Sequence, residues 1–198
     1  MFSTRTMTIV AALCLSVGAG CSTPFLNSAV SSHAVVQDSG LAGEWIASGA
    51  TTTRAIITEA PNGRYSVSMT VHHQGEFKTA LNVDVALTNI GKDTYWDVFL
   101  ARTERDKLVN TYGFLAVPVH QVMKVTRIGD ELRVWNFDAA WLDSMAQREK
   151  VSNNHVSLGG GEVSMVTATT DQVRDIILRH AHDPAAFEEP MIFRRMQK

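Results

Sequence analysis

Tyr65-Ser66-Val67-Ser68-Met69-Thr70-Val71 and then Leu81-Asn82-Val83-Asp84-Val85-Ala86-Leu87 alternate apolar and polar or small residues almost without a break. A period of two places one set of side chains on a core and the other toward water, which is the pattern of a half-buried strand. Trp96-Asp97-Val98-Phe99-Leu100 continues the style. Working outward, Pro61-Asn62-Gly63, predicted to form a type I turn with a glycine bulge, Gly91-Lys92-Asp93 and Gly129-Asp130-Glu131 read as reversals between consecutive strands. Further strands are expected over residues 43–48, 54–59, 119–128, 132–137, 162–168 and 191–195. The fold class is therefore mainly β: an antiparallel up-and-down barrel or strongly curled sheet, because closure removes exposed edges.

Two peripheral helices interrupt the strands. Asp138 caps a helix over 139–149 that carries Trp141, Leu142 and Met145 on one face. The second is expected over 171–182, with Val173, Ile176, Ile177 and His180 on one stripe. Asp171 suits its start, Arg179, His180 and His182 suit its end, and Asp183-Pro184 stops it. On the strand over 119–128, both the set Val119, Gln121, Met123, Val125 and the set Val122, Lys124, Thr126, Ile128 have an apolar share, a hint that some apolar residues line a cavity if the barrel encloses one.

The chain is expected to divide into residues 1–20, a secretory signal; residues 21–40, Cys21 followed by a flexible linker; and residues 41–198, one β-rich domain. The signal has one charge, Arg5, then an apolar run that gives way to Gly18-Ala19-Gly20 well short of the ~20 residues needed to span a bilayer. Small residues directly before Cys21 resemble the lipobox of bacterial lipoproteins, although Gly18 stands where those proteins usually carry Leu. The resemblance implies cleavage before Cys21, a thioether-linked diacylglycerol on its sulfur, an acyl group on its amine and, through Ser22, sorting to the periplasmic face of a Gram-negative outer membrane. Several chains at ~0.8 kcal/mol per buried methylene would hold such a protein firmly. Residues 22–40 show no period and, as a free linker, would float the domain roughly 25 Å from the bilayer unless Val35 and Val36 pack onto it.

The two cysteines are Cys14, inside the signal, and Cys21. The mature domain thus has no disulfide, cysteine nucleophile or cysteine-held metal, and must stabilise itself by its core; a domain of ~150 residues buries close to 70% of its unfolded surface. Loss of Arg5 takes the formal net charge from −2 to −3, which argues against nucleic acid as a partner.

Leu41-Ala42-Gly43-Glu44-Trp45 resembles the opening of lipocalin and wider calycin barrels, whose first strand carries Gly-x-Trp. What the resemblance implies is a tryptophan, Trp45, plugging one barrel end beside Gly43, under an arginine from the closing strand, Arg194 or Arg195, with Arg194 taken first. The Trp-Leu helix, the helix entered through Thr169-Thr170-Asp171 and the final Glu189-Pro190-x-x-Phe193-Arg194-Arg195 stretch are similar to the tail of small Gram-negative lipoproteins.

Chemistry-bearing residues are few. Adjacent His72 and His73 point to opposite faces of a strand and cannot easily share a metal, and His180-x-His182 sits at a helix end. No zinc-peptidase spacing or serine-hydrolase elbow is present, and Gly159-Gly160-Gly161 lacks the Lys-Ser/Thr of a phosphate loop. The polar-site candidates are His120, Lys124 and Asp138, with Asp84 or Asp138 as the carboxylate that could make His120 a general base. No catalytic residue, cofactor or metal is assigned and no enzyme activity is expected. The leading expectation is a lipid-anchored envelope protein binding a fatty acid or other lipid in the barrel; the alternative is an assembly accessory with a filled barrel and an envelope protein as partner.

Overall fold

A computed structural model of the chain describes residues 23–31, 34–47, 51–73, 76–106, 119–151, 153–158 and 161–197. Cys21 and the signal segment lie outside the described residues, as do Gly159 and Gly160 and the side chain of His73. In chain order the strands are β1 (Val35–Val36), β2 (Gly43–Ala47), β3 (Thr51–Ala60), β4 (Arg64–His73), β5 (Glu76–Ile90), β6 (Asp93–Leu100), β7 (His120–Ile128), β8 (Glu131–Asn136), β9 (Asn153–Leu158), β10 (Gly161–Val166) and β11 (Met191–Arg195). Helix α1 (Ala139–Glu149) separates β8 from β9, and α2 (Thr170–His180) separates β10 from β11.

Strands β2 to β8 follow one another antiparallel, each hydrogen-bonded to the next, and β11 lies between β8 and β2. The result is an eight-stranded closed up-and-down barrel, calycin-like in form. The period-two segments supply its walls: Val67 pairs with Val83, Tyr65 with Val85 and Met69 with Leu81. Inside, Trp45, Ile57, Tyr65, Val85, Leu132 and Phe193 belong to one buried apolar cluster; sequestering each such side chain contributes about 1.5–3 kcal/mol. β9 and β10 form a separate two-stranded ribbon outside the barrel. The strand read over 162–168 is therefore present but not part of the barrel wall, and β9, too polar to stand out, is its partner.

A second cluster lies outside the barrel against β6 and β7, where Tyr95 and Val122 pack with Phe137, Leu142, Met145, Val173, Ile176 and Ile177. The two faces of β6 and β7 thus serve two cores, which is why β6 shows four consecutive buried residues. Helix α1 is capped by Asp138, which accepts from Trp141 N at 2.7 Å. Helix α2 begins one residue earlier than its sequence reading, because Thr169 and Gln172 form a reciprocal capping box. It also ends earlier, at His180, since Asp183 opens a 3-10 turn over Pro184–Ala186.

The Pro61–Gly63 turn differs from the expected type I geometry. Asn62 and Gly63 both have positive φ, 61° and 72°, as the mirror-image hairpin turns require to match strand twist. At the same barrel end lie the two-residue connections Gly91-Lys92 and Gly129-Asp130.

That end is plugged. Trp45 is fully buried and donates from Nε1 to Leu41 O at 2.8 Å. The Arg195 guanidinium lies 4.3 Å from the Trp45 ring centroid, donates to Ala42 O at 2.8 Å and to Gly40 O, and pairs with Asp130 at 3.3 Å. The arginine over the tryptophan is Arg195 and not Arg194, for a reason of parity: Phe193 faces inward, so Arg194 faces out and is exposed. Gly43 follows from the same contact, since at φ 142° a Cβ there would collide with the Arg195 guanidinium.

Residues 23–31 and 34–41 are not a free linker. They form a strap that runs down the outside of the barrel from the end opposite the plug. Phe25 exchanges two 2.8 Å backbone hydrogen bonds with His120, β1 pairs with β5, and Asp38 binds Arg127 through both carboxylate oxygens at 2.8 and 2.9 Å. Asp38 also exchanges hydrogen bonds with the Tyr65 hydroxyl through its own backbone. Hydrogen bonding to the Arg127 guanidinium holds the Asp38 carboxyl below the usual carboxylate range, against partial burial.

Arg195→Leu should lower unfolding free energy by about 2 kcal/mol in urea titration, whereas Arg194→Leu should stay within about 0.5 kcal/mol. Gly43→Ala should cost about 1–3 kcal/mol. Because the folded pKa of Asp38 is depressed, its contribution is present above the ordinary carboxylate range and is lost as pH falls through and below about 4. Asp38→Asn should remove that part of the acid sensitivity, measured as Tm against pH.

Candidate functional site

The outward face of β6 carries Asp93, Tyr95, Asp97 and Phe99, and the outward face of β7 carries His120, Val122 and Lys124. Phe99 stands opposite His120, Asp97 opposite Val122 and Tyr95 opposite Lys124. Each carboxylate therefore meets its partner diagonally: Asp97 Oδ1 lies 2.7 Å from His120 Nδ1, and Asp93 Oδ2 lies 3.0 Å from Lys124 Nζ. Two ion pairs bracket the apolar Tyr95–Val122 patch, and the strap and helix α2 cover the whole.

Asp97 is only 1% exposed. Its second oxygen accepts from the Ser28 hydroxyl, and Ser28 Oγ in turn accepts from Val30 N at 2.9 Å. The residues Ser28, Asp97 and His120 thus share one hydrogen-bonded cluster, but the carboxylate stands between the other two. In a relay for nucleophilic catalysis the imidazole must contact the hydroxyl, so this order does not activate Ser28. With Nδ1 on Asp97, His120 keeps Nε2 for other contacts, beside the Phe99 ring at 5.6 Å. The cluster clamps the strap to the barrel.

Of the sequence candidates, the structure puts His120 and Lys124 on one face but does not join them to Asp138. Asp138 is occupied in capping α1, and Asp84 accepts from Ser66 Oγ at 3.0 Å. The carboxylate that meets His120 is Asp97, which sequence reasoning passed over. The sequence signal was only that a charged residue sits on a strand apolar on both faces and so needs a partner; which partner it meets depends on the register of β6 and β7.

At the other diagonal pair, Lys124 also donates to Ala181 O at 3.0 Å and lies 5.5 Å from the Phe187 ring centroid. It borders an open groove of about 400 Å³ lined by Trp135, His182, Asp183, Phe187 and Glu188, among others. The Tyr95 hydroxyl, next to Asp93, is fully buried without a hydrogen-bond partner among the described residues. Burial first, and the Asp93 charge second, push its pKa far above the ordinary tyrosine value. Farther out, Glu149 binds His180 at 2.8 Å and Arg179, tying α1 to α2. Burial alone would raise the Glu149 carboxyl, but those hydrogen bonds outweigh it and hold it low. Among the described residues no three His, Cys, Asp or Glu side chains converge as a metal site requires.

His120→Ala should leave the buried Asp97 side chain without its imidazole hydrogen-bond partner, a loss on the order of 2–3 kcal/mol. Proteolysis should then cut within residues 23–38 at protease levels that leave the wild-type strap intact, while the barrel fragment persists. Compared with protein family models, with curated proteins and with solved structures, the chain matches none.

Proposed function

We propose that this is a lipid-anchored protein of the Gram-negative cell envelope, held by Cys21 at the periplasmic face of the outer membrane, whose barrel takes up a small apolar ligand such as a fatty acid or other lipid. The observation that carries the reading is the asymmetry of the barrel. One end is plugged by Trp45 and Arg195, whereas Met69 and Leu81, which pack against the interior cluster farther along β4 and β5, stay partly exposed. A barrel packed to both ends has no need of apolar side chains left open to solvent. Trp96, in the same interior cluster, keeps a buried indole N–H without a partner among the described residues. A single acceptor, such as a ligand carboxylate or ester oxygen, would satisfy that donor and fix the ligand's orientation.

A second reading has its own support. The half of the barrel nearer the plug is filled by side chains, and the groove beside Trp135 and Phe187 presents aromatic surface outside it. An assembly accessory that contacts an envelope protein would use that groove and leave the interior unoccupied.

Native mass spectrometry of residues 22–198, purified without detergent, decides between them. The expected result is added mass of a few hundred daltons, released on denaturation and extractable as lipid. Met69→Lys should abolish it, and Trp96→Phe should weaken retention several-fold while leaving the circular dichroism unchanged. A species that stays free of added mass after incubation with mixed envelope lipids defeats the carrier reading and leaves the accessory one.

A further inference from the structure

The path of the strap fixes more than the fold. It starts at the barrel end where β6 finishes and β7 begins, because Phe25 pairs with His120, the first residue of β7. It finishes at the plugged end, where Asp38 binds Arg127 and Leu41 enters the interior cluster. The N-terminal end of the strap is firmly held. Thr23 and Phe25 are buried, Leu26 N donates to Val166 O, Val166 N donates to Pro24 O, and Asn27 donates to Ala168 O. Only two residue steps separate Thr23 from Cys21, a reach of about 7 Å. The barrel wall is longer: nine-residue β7, at about 3.3 Å per residue, extends roughly 25 Å once strand tilt is allowed for.

We propose that the barrel end opposite the Trp45–Arg195 plug lies against the bilayer, with the plug pointing away from it. The inference rests on lipidation of Cys21 but not on ligand binding. A lipid on Cys21 sits within one short tether of the β6–β7 end. Turning the plug toward the membrane would require the strap to peel off, exposing Phe25 and breaking its backbone pairing with His120 and Val166 together with the Ser28–Asp97 contact. The bilayer surface is thus the partner of a specific end of the barrel, and the exposed sides of Met69 and Leu81 belong to the half that faces it.

The test uses the full chain, processed in a Gram-negative host and reconstituted into phosphatidylethanolamine–phosphatidylglycerol vesicles doped with headgroup nitroxide lipid. With Cys14 removed and the Cys21 sulfur alkylated, the mature protein has no thiol of its own, so an introduced cysteine labels uniquely. A fluorophore on Glu76→Cys, exposed where β5 begins opposite the plug, reports the proposed membrane end. One on Lys92→Cys, in the exposed turn between β5 and β6, reports the plugged end. Quenching several-fold greater at position 76 is the expected result; equal quenching, or more at position 92, overturns the proposal. Ten Gly/Ser residues inserted between Ser22 and Thr23 should keep the protein on vesicles and abolish the difference, and a difference that survives the insertion also refutes the short-tether argument. Failure of the unsubstituted protein to float with vesicles, with its Cys21 thiol open to maleimide, removes the anchor itself and is distinguishable from every other outcome.

Discussion

The contact on which this barrel most depends is the stack of the Arg195 guanidinium on Trp45, because it sits at the weakest seam in the wall. β4 and β5 are paired over ten residues, whereas β11 meets β2 at only two, Arg194 with Ile46 and Arg195 with Trp45. So short a ladder would leave the ring close to an open sheet with two edges. Arg195 compensates with side-chain contacts that no strand pairing supplies. It reaches the carbonyls of Gly40 and Ala42 before β2, the indole of β2 itself and Asp130 in the turn between β7 and β8. Three parts of the chain that are remote in sequence are fastened by one planar cation, and a lysine, with its compact ammonium, could not present the same fork and face.

From that seam the rest of the architecture follows as a question of which walls have one buried face and which have two. β3 and β4 alternate between buried and exposed residues along much of their length, because among the described residues no helix packs over them to make a second core. β6 and β7 are covered by α1, α2 and the strap, and their outward faces hold Tyr95, Val122 and the two diagonal ion pairs. Charges placed there must be paired as they lose water. Asp97–His120 and Asp93–Lys124 meet that condition and also fix where the covering elements dock: Ser28 of the strap on the first, Ala181 at the end of α2 on the second. Buried ion pairs add little net stability against apolar substitutes; here they set position.

How much of this was legible in the sequence depended on whether the governing interaction was periodic. The strands with one wet face, the Asp138-capped helix and the double-faced character of β7 all follow from spacing alone. Parity in β11 could also have assigned the stacking arginine, since Phe193 inward places Arg194 outward. What escaped was held by backbone or by pairing at long range. The strap has almost no period, because Phe25 and Leu26 are fastened through main-chain hydrogen bonds that any residue could make. β9 reads as polar loop because its partner is β10 in a ribbon outside the barrel. Asp97 became visible only once β6 and β7 were aligned, since a diagonal contact depends on register and register is not written in either strand alone.

The strap also changes what an N-terminal spacer means in a tethered protein. A polar, aperiodic stretch between an acylated cysteine and a domain is ordinarily read as freedom, with reach growing as the square root of its length. When such a stretch is nailed down near its first residues, its length no longer matters, and under the anchoring proposed at Cys21 the single residue Ser22 would set the distance and the orientation. The described residues of a stretch that could hold a domain well clear of a surface instead run down its side to form part of the plug at the far end, through Asp38 and Leu41. If Cys21 carries the proposed lipid, anchor point and barrel closure are two ends of one segment, and loosening the strap at Ser28 or Phe25 would alter how the domain sits as directly as it alters how the fold holds together.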